Sequence, residues 1–317
     1  MPHDGAPPAR VQVRPALAAP ALAQSPPVPS EDELDELTCV AVALAEEAGT
    51  FIVDQRPAEL GVATTKSSVT DVVTVMDQAC ERLLRQRIAE LRPGDAFLGE
   101  EAGASPGTTG ITWVVDPIDG TVNYLYDIPY YCVSVSAVVG DAAVPGAWRP
   151  VVGAVCNPMS DEVFSARLGS GAYLATGERA RRGPARHRLR VSDVAVLDRA
   201  LTGTGFGYVA ADRARQGAAA ATLLPEIRDL RRTGSAALDL CSVAAGRLDA
   251  YFEAGLNPWD LAAGWIVATE AGAVLSGLFG SAPGAEMTVA SGSALHHKLV
   301  ARIEQLHPVT GRRPAAQ

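Results

Sequence analysis

Residues 116–124 read Asp-Pro-Ile-Asp-Gly-Thr-Val-Asn-Tyr and follow directly on the apolar run Ile111-Thr112-Trp113-Val114-Val115. The run reads as a buried strand ending in two acids, Asp116 and Asp119, with Pro117 and Gly120 turning the chain where they emerge. Packing alone does not account for such a pair. Two carboxylates 4 Å apart repel by about 4 kcal/mol at an effective dielectric of about 20. A divalent cation reverses the sign of that interaction, because hard cations such as Mg²⁺ are held by carboxylate and carbonyl oxygens. One Asp-Gly pair is common in any acidic turn; the whole run is not.

Other residues could complete such a centre. Phe97-Leu98-Gly99-Glu100-Glu101 puts two acids after a short apolar stretch, with Glu100 16 residues before Asp116. Trp259-Asp260-Leu261-Ala262-Ala263-Gly264 puts another at the start of a small-residue helix pattern. Read singly, Glu100 and Glu101 are solvated loop charges, and Asp260 is a helix N-cap or first-turn acid. Asp77 reads equally as a helix cap and as a functional acid, Lys66 as one loop lysine among 27 basic residues, and Glu253 as a strand-end surface charge. No competing chemistry is written in the chain. His3, His187, His296, His297 and His307 lack zinc-ligand spacing, and there is no P-loop or Gly-x-Ser-x-Gly elbow. The Gly-rich loop Gly203–Tyr208 lacks dinucleotide spacing; it is left open between a structural and a functional reading.

The elements that must hold these residues alternate. Helical spacing runs through Leu37, Val40, Ala41, Leu44, Ala48, Phe51 and Ile52 after the acidic Glu31-Asp32-Glu33, and again from Asp77 to Leu91 before Pro93-Gly94. Strands are expected at 72–75, 111–115, 131–139 and 151–155, with a hairpin at 163–166 and 172–174. The second half reads as strand 201–204, helix 211–224, helix 234–245, strand 249–253, helix 259–271 with Gly272 as its cap, strand 287–290 and helix 294–306. This is an α/β chain of α+β layered character, its sheets covered by helices.

With 317 residues, 48% hydrophobic and 20% charged, the chain has ample length for a large core in two subdomains. The expected division is a Pro/Ala-rich disordered tail over 1–30, a subdomain over 31–152 with most metal ligands, a second over 153–307 with substrate contacts, and a loose tail over 308–317. A net charge of -9 argues against direct nucleic-acid binding. No segment reaches the roughly 20 apolar residues of a membrane helix. The five dispersed cysteines, with no Cys-x-x-Cys pair, read mostly as small core residues of a reducing, cytoplasmic setting.

Taken together, the Gly-Glu-Glu at 99–101, the Asp-Pro-Ile-Asp-Gly-Thr at 116–121 and the Trp-Asp-x-Ala-Ala-Gly at 259–264 resemble the inositol monophosphatase family, the lithium-sensitive, magnesium-dependent sugar phosphatases. Lys66–Asp77 and Gly234–Cys241 with Asp249–Glu253 also resemble it, and the likeness runs from about Glu33 to Leu306. The resemblance implies layers of helices and sheets with the metal site between two subdomains, and a homodimer. It implies two to three Mg²⁺ ions: one held by Glu100, Asp116 and the Ile118 carbonyl, one by Asp116, Asp119 and Asp260, and a weaker one near Glu100. It further implies that Asp77, Thr121 and Glu100 orient or deprotonate the attacking water, with Lys66 nearby. The phosphate would meet Gly120 and Thr121, and a small phosphorylated polyol would meet Gly234, Ser235, Ala236, Glu253 and Asp260. Histidinol phosphate or fructose 1,6-bisphosphate are sister substrates. An accessory role in the transcription machinery is the reading from another class. Relative to the family, Leu275–Gly280 lacks an acid, a change expected to touch packing more than chemistry.

Overall fold

The computed structural model describes residues 27–65, 72–177 and 186–307. Among these the helices are α1 (Glu31–Asp54), α2 (Val75–Leu91), α3 (Thr121–Leu125), α4 (Ala210–Leu223), α5 (Ala236–Ala244), α6 (Pro258–Glu270) and α7 (Ser293–Leu306). An eight-stranded sheet runs in the order Arg186–Arg188, Gly171–Thr176, Glu162–Arg167, Trp148–Asn157, Cys132–Gly140, Ile111–Asp119, Ala96–Gly99, Gly103–Ser105. A five-stranded sheet has the order Asp229–Arg231, Leu201–Thr204, Ala250–Glu253, Thr288–Gly292, Ala273–Ser276. Val62–Thr65 and Val72–Thr74 form a small antiparallel ribbon.

The layers follow from which faces are apolar. α1 buries Leu34, Leu37, Ala41, Leu44, Ala48 and Ile52 against one face of the large sheet, with α2 beside it. α5 and α6 cover the opposite face and also meet the five-stranded sheet, so they are enclosed on both sides. Every residue of α5 is buried, Asp239 and Ser242 among them. α4 and α7 close the far side of the small sheet. The result is layered α/β, as the alternation of elements implies. Two glycines let α6 pack closely: a Cβ on Gly264 would lie 2.7 Å from the Leu240 side chain, and one on Gly153 2.5 Å from Ile266 Cγ2.

Several expected boundaries move. The strand after Gly110 does not end before the acids; it runs from Ile111 through Asp119, and the turn comes at Gly120. α2 begins at Val75 with Thr74 as its N-cap, so Asp77 stands at the third helical position. The division expected at 152/153 falls inside the strand Trp148–Asn157, and that sheet continues to Arg188. Residues 1–26 and 308–317, where tails are expected, lie outside the described residues. Cys80, Cys132, Cys156 and Cys241 are buried as expected; Cys39 is exposed. Ser276, in the segment lacking an acid, is hydrogen-bonded to buried His296 at 2.9 Å.

Candidate metal centre and substrate cleft

In a regular strand, residues three apart point to opposite faces. Asp116 pairs with Ser134 while Asp119 pairs with Cys132, so one extra residue is inserted between them and the ladder bulges. The bulge re-aims the chain, as bulges do, and it is a position where a proline is tolerated within a sheet. Both carboxylates consequently converge. The Ile118 side chain goes the other way, into the core beneath α1 and α2, while Thr121 Oγ1 lies 3.0 Å from its carbonyl oxygen. Gly120 then turns the chain with φ of 100°, in the left-handed region. A Cβ there would also sit 3.1 Å from the Tyr130 carbonyl oxygen.

The third acid arrives from α6. Asp260 occupies the third helical position of a capping box and accepts the Asn257 N–H at 2.7 Å. Ligand atoms of Asp116, Asp119 and Asp260 all lie within 4.8 Å of one another. Asp116 is 1% exposed. Its pKa is pushed well above the usual carboxylate range, first by burial and then by the charges of Glu100, Asp119 and Asp260. Asp260 is raised well above that range by burial, Glu100 and Asp119. Asp119 is also raised by burial, against hydrogen bonds that favour its charge: Ser235 Oγ donates at 2.6 Å and the Ala237 N–H at 2.7 Å. Asp119 thus joins the bulged strand to the N-terminus of α5. Asn123 Nδ2 adds a second link, donating to the carbonyls of Tyr130 at 2.7 Å and Thr233 at 2.8 Å.

Asp77 belongs to the capping box at the start of α2 and also meets Thr121 of the cleft lining. It accepts from the N–H and hydroxyl of Thr74, and Thr121 Oγ1 lies 3.1 Å from its other oxygen. Burial raises its pKa to about 6 against the bonds from Thr74.

Glu100, Asp116, Ile118, Asp119, Gly120, Thr121, Gly234, Ser235, Ala236, Glu253 and Asp260 all line one cleft of about 380 Å³. Asp77 stands behind it, reached through Thr121, and Lys66 lies outside the described residues. The cleft also takes in Arg232, Asp239 and Trp259, which were not singled out as site residues, and the loop 204–208, left open between two readings by the sequence. Gly205 explains that loop. A Cβ there would lie 1.9 Å from Glu253 Oε2, so glycine is what lets the Glu253 carboxyl seat against the strand end. Burial raises Glu253 to about 7, opposed by the hydrogen bond from the Tyr251 hydroxyl and by Arg232. Asp239, also raised to about 7 by burial, accepts from the hydroxyls of Thr233 and Tyr130. The alternation Tyr251-Phe252-Glu253 was the available signal for the first of these supports; nothing local marks Thr233 or Tyr130 as partners of Asp239.

The profile of the inositol monophosphatase family matches residues 33–307. The chain is 48% identical over 257 residues to "Inositol-1-monophosphatase SuhB" of Mycobacterium tuberculosis (strain ATCC 25618 / H37Rv), covering 77% of this chain and 84% of that protein. It is 37% identical over 247 residues to "Nus factor SuhB" of Escherichia coli (strain K12), covering 76% and 85%. The solved structure of Mycobacterium tuberculosis SuhB superposes with a TM-score of 0.70 at 45% identity, covering 86% of this chain and 97% of that one.

Proposed function

The chain belongs to the inositol monophosphatase family, and on that premise we propose that this phosphatase hydrolyses inositol monophosphate to inositol and phosphate. The observation that carries the reading is the convergence of Asp116, Asp119 and Asp260 within 4.8 Å, in a cleft that also holds Glu253 and Asp239. The donors are hard oxygens and their charges repel, a set that fits Mg²⁺. The ligand sets are those of the resemblance: Glu100, Asp116 and the Ile118 carbonyl for one ion, Asp116, Asp119 and Asp260 for a second, and a weaker third ion near Glu100. Such ions supply charge neutralisation and Lewis acidity to a reaction that is among the slowest in water.

The chain's own residues do the rest. Ionised Asp77 can accept the hydrogen bond of the Thr121 hydroxyl, leaving a lone pair of Thr121 Oγ1 to accept from and orient the attacking water, with Glu100 as the acceptor of that water's proton. Lys66 keeps the place near the cations that the resemblance gives it. The backbone of Gly120 and Thr121 lines the cleft for the phosphate. Glu253 accepts ring hydroxyls, and Gly234, Ser235 and Ala236 border the same space. Residues 31–152 thus supply most cation ligands and 153–307 most substrate contacts. The resemblance further supports lithium sensitivity, a homodimer and a cytoplasmic setting. No helix among the described residues is long and apolar enough to cross a membrane.

Phosphate release from inositol 1-phosphate, histidinol phosphate and fructose 1,6-bisphosphate, each with Mg²⁺ and with a chelator, tests the reading. Cation-dependent turnover highest on inositol 1-phosphate is expected; a clear preference for either other substrate overturns it in favour of a sister activity. The likeness to "Nus factor SuhB" supports a second reading, an accessory role in transcription. A net charge of -9 makes a protein partner the better fit for that role than nucleic acid. Complete absence of turnover on all three substrates would favour it.

A further inference from the structure

One turn after Asp77, α2 carries a second buried acid. Glu81 is 1% exposed, and its carboxylate accepts the N–H groups of Glu101 at 2.6 Å and Ala102 at 2.8 Å. Those amides belong to the turn between Ala96–Gly99 and Gly103–Ser105, the turn that brings Glu100 to the cleft. Arg85, a further turn along α2, pairs with Glu81 at 3.4 Å. It also donates to Ser105 Oγ at 2.6 Å and to the Gly103 carbonyl at 3.0 Å, and lies 4.1 Å from the centroid of the Phe97 ring. The strand is cut to receive this carboxylate, since a Cβ on Gly99 would lie 2.4 Å from Glu81 Oε2. Arg85 keeps 30% of its side chain exposed, so the pair itself adds little to stability. The pair Glu81–Arg85 therefore calls for a reason beyond stability.

We propose that Glu81 is a positioning residue: by holding the amides of Glu101 and Ala102 it fixes the Glu100 turn against the same helix that carries Asp77. α2 then sets two acids at once, Asp77 through Thr121 and Glu100 through Glu81, and their mutual placement follows from one rigid element. The inference rests on the reading that Glu100 helps to hold the cation. Groups that orient a metal's ligands typically affect affinity by about 10–100-fold when changed.

The test is a Mn²⁺ titration of the metal-free protein, with free Mn²⁺ read by electron paramagnetic resonance. It is accompanied by thermal unfolding of the metal-free protein and by KM for inositol 1-phosphate at saturating Mg²⁺. Glu81→Gln removes one acceptor and the charge; Gly99→Ala keeps the carboxylate but pushes it aside, its Cβ also meeting Phe97 Cε1 at 2.7 Å. Each variant is expected to weaken Mn²⁺ binding about 10–100-fold while KM and the metal-free melting temperature hold. Unchanged Mn²⁺ affinity in either folded variant overturns the proposal. So does a loss of affinity matched by a comparable loss of metal-free stability, the sign of general loosening. Glu100→Gln, measured alongside, separates the two readings. If it weakens Mn²⁺ binding and Glu81→Gln does not, only the positioning role fails. If Glu100→Gln leaves binding intact, the ligand assignment fails and takes this inference with it.

Discussion

Burial is the first cause that raises Asp116, and it is also the first cause that raises Glu253. The next causes differ in sign. Around Asp116 they are the charges of Glu100, Asp119, Asp260 and Asp77, all pushing its pKa further up. Around Glu253 they are the Tyr251 hydroxyl and Arg232, which bring it back to about 7. Asp239 resembles Glu253, with the Thr233 and Tyr130 hydroxyls offsetting its burial. Two groups of acids in one cleft thus differ in what they leave unsatisfied. The Asp116 group calls for positive charge from outside the chain. The Glu253 group is supported by hydroxyl donors and, at Glu253, by the Arg232 guanidinium, and suits a neutral ligand with hydroxyl groups.

The sharpest way to break this contrast is to remove the central charge. Asp116→Asn is expected to lower turnover by about 10²–10³-fold, the range seen when an electrostatic group in a catalytic site is lost, while the protein stays folded. Its metal-free form should melt above the parent, because mutual repulsion is relieved, by about 1–2 °C for each kcal/mol recovered. Phosphate release and calorimetry of the metal-free protein check both halves. Near-normal activity would remove the basis for a two-cation site. Cation exchange belongs beside it: Mg²⁺ should activate, whereas Ca²⁺, which takes more ligands at longer distance, should inhibit.

Across the cleft, Glu253→Gln should cost on the order of 1–3 kcal/mol in kcat/KM for inositol 1-phosphate and little for an aryl phosphate, since a charged acceptor binds hydroxyls more strongly than a neutral one. Equal losses on both substrates would place Glu253 with the cation group instead. Gly205→Ala, which displaces the Glu253 carboxyl without altering it, should give the same selective loss at roughly tenfold, read as a ratio of the two kcat/KM values.

The smallest effects concern pH. Glu253 is charged only above about 7, so preference for inositol 1-phosphate over the aryl ester should rise severalfold as pH passes through that value. The ratio should be flat in Glu253→Gln. Stability should move oppositely. Glu253 has a usual value of 4.5 and a folded value of about 7, and Asp239 goes from 3.8 to about 7. The fold therefore binds these protons more tightly than the unfolded chain does. Metal-free stability should fall as pH rises through the window from about 4 to 7, with the loss complete above it. A melting temperature that climbs across that window would contradict the assignment of either buried acid.

Much of the frame could be read in advance because its signals are local. The apolar spacing of α1, the small residues of α5 and α6 and the buried run from Ile111 depend on periodicity, which the sequence displays directly. Short elements such as Ala96–Gly99, Gly103–Ser105 and Asp229–Arg231 are held by neighbours in their sheets rather than by their own pattern. The same holds at the site. Asp116, Asp119 and Asp260 stand out by type and by their Pro and Gly neighbours, whereas Gly205 beneath Glu253 and Glu81 behind Glu100 matter only through contacts made across the fold.

By itself the sequence determined the chemistry available: an all-oxygen donor set without a zinc pattern or phosphate loop, on elements that must form covered sheets. Tertiary structure decided what those donors could do together. In a straight strand Asp116 and Asp119 would face apart, and the bulge opposite Cys132–Ser134 turns them to one side. Asp260 reaches them only because the layers bring α6 against the strand Ile111–Asp119. The reason is physical. Periodicity is a property of neighbours along the chain, whereas repulsion among carboxylates, and the cation that relieves it, depends on separations in space that only the packed layers fix.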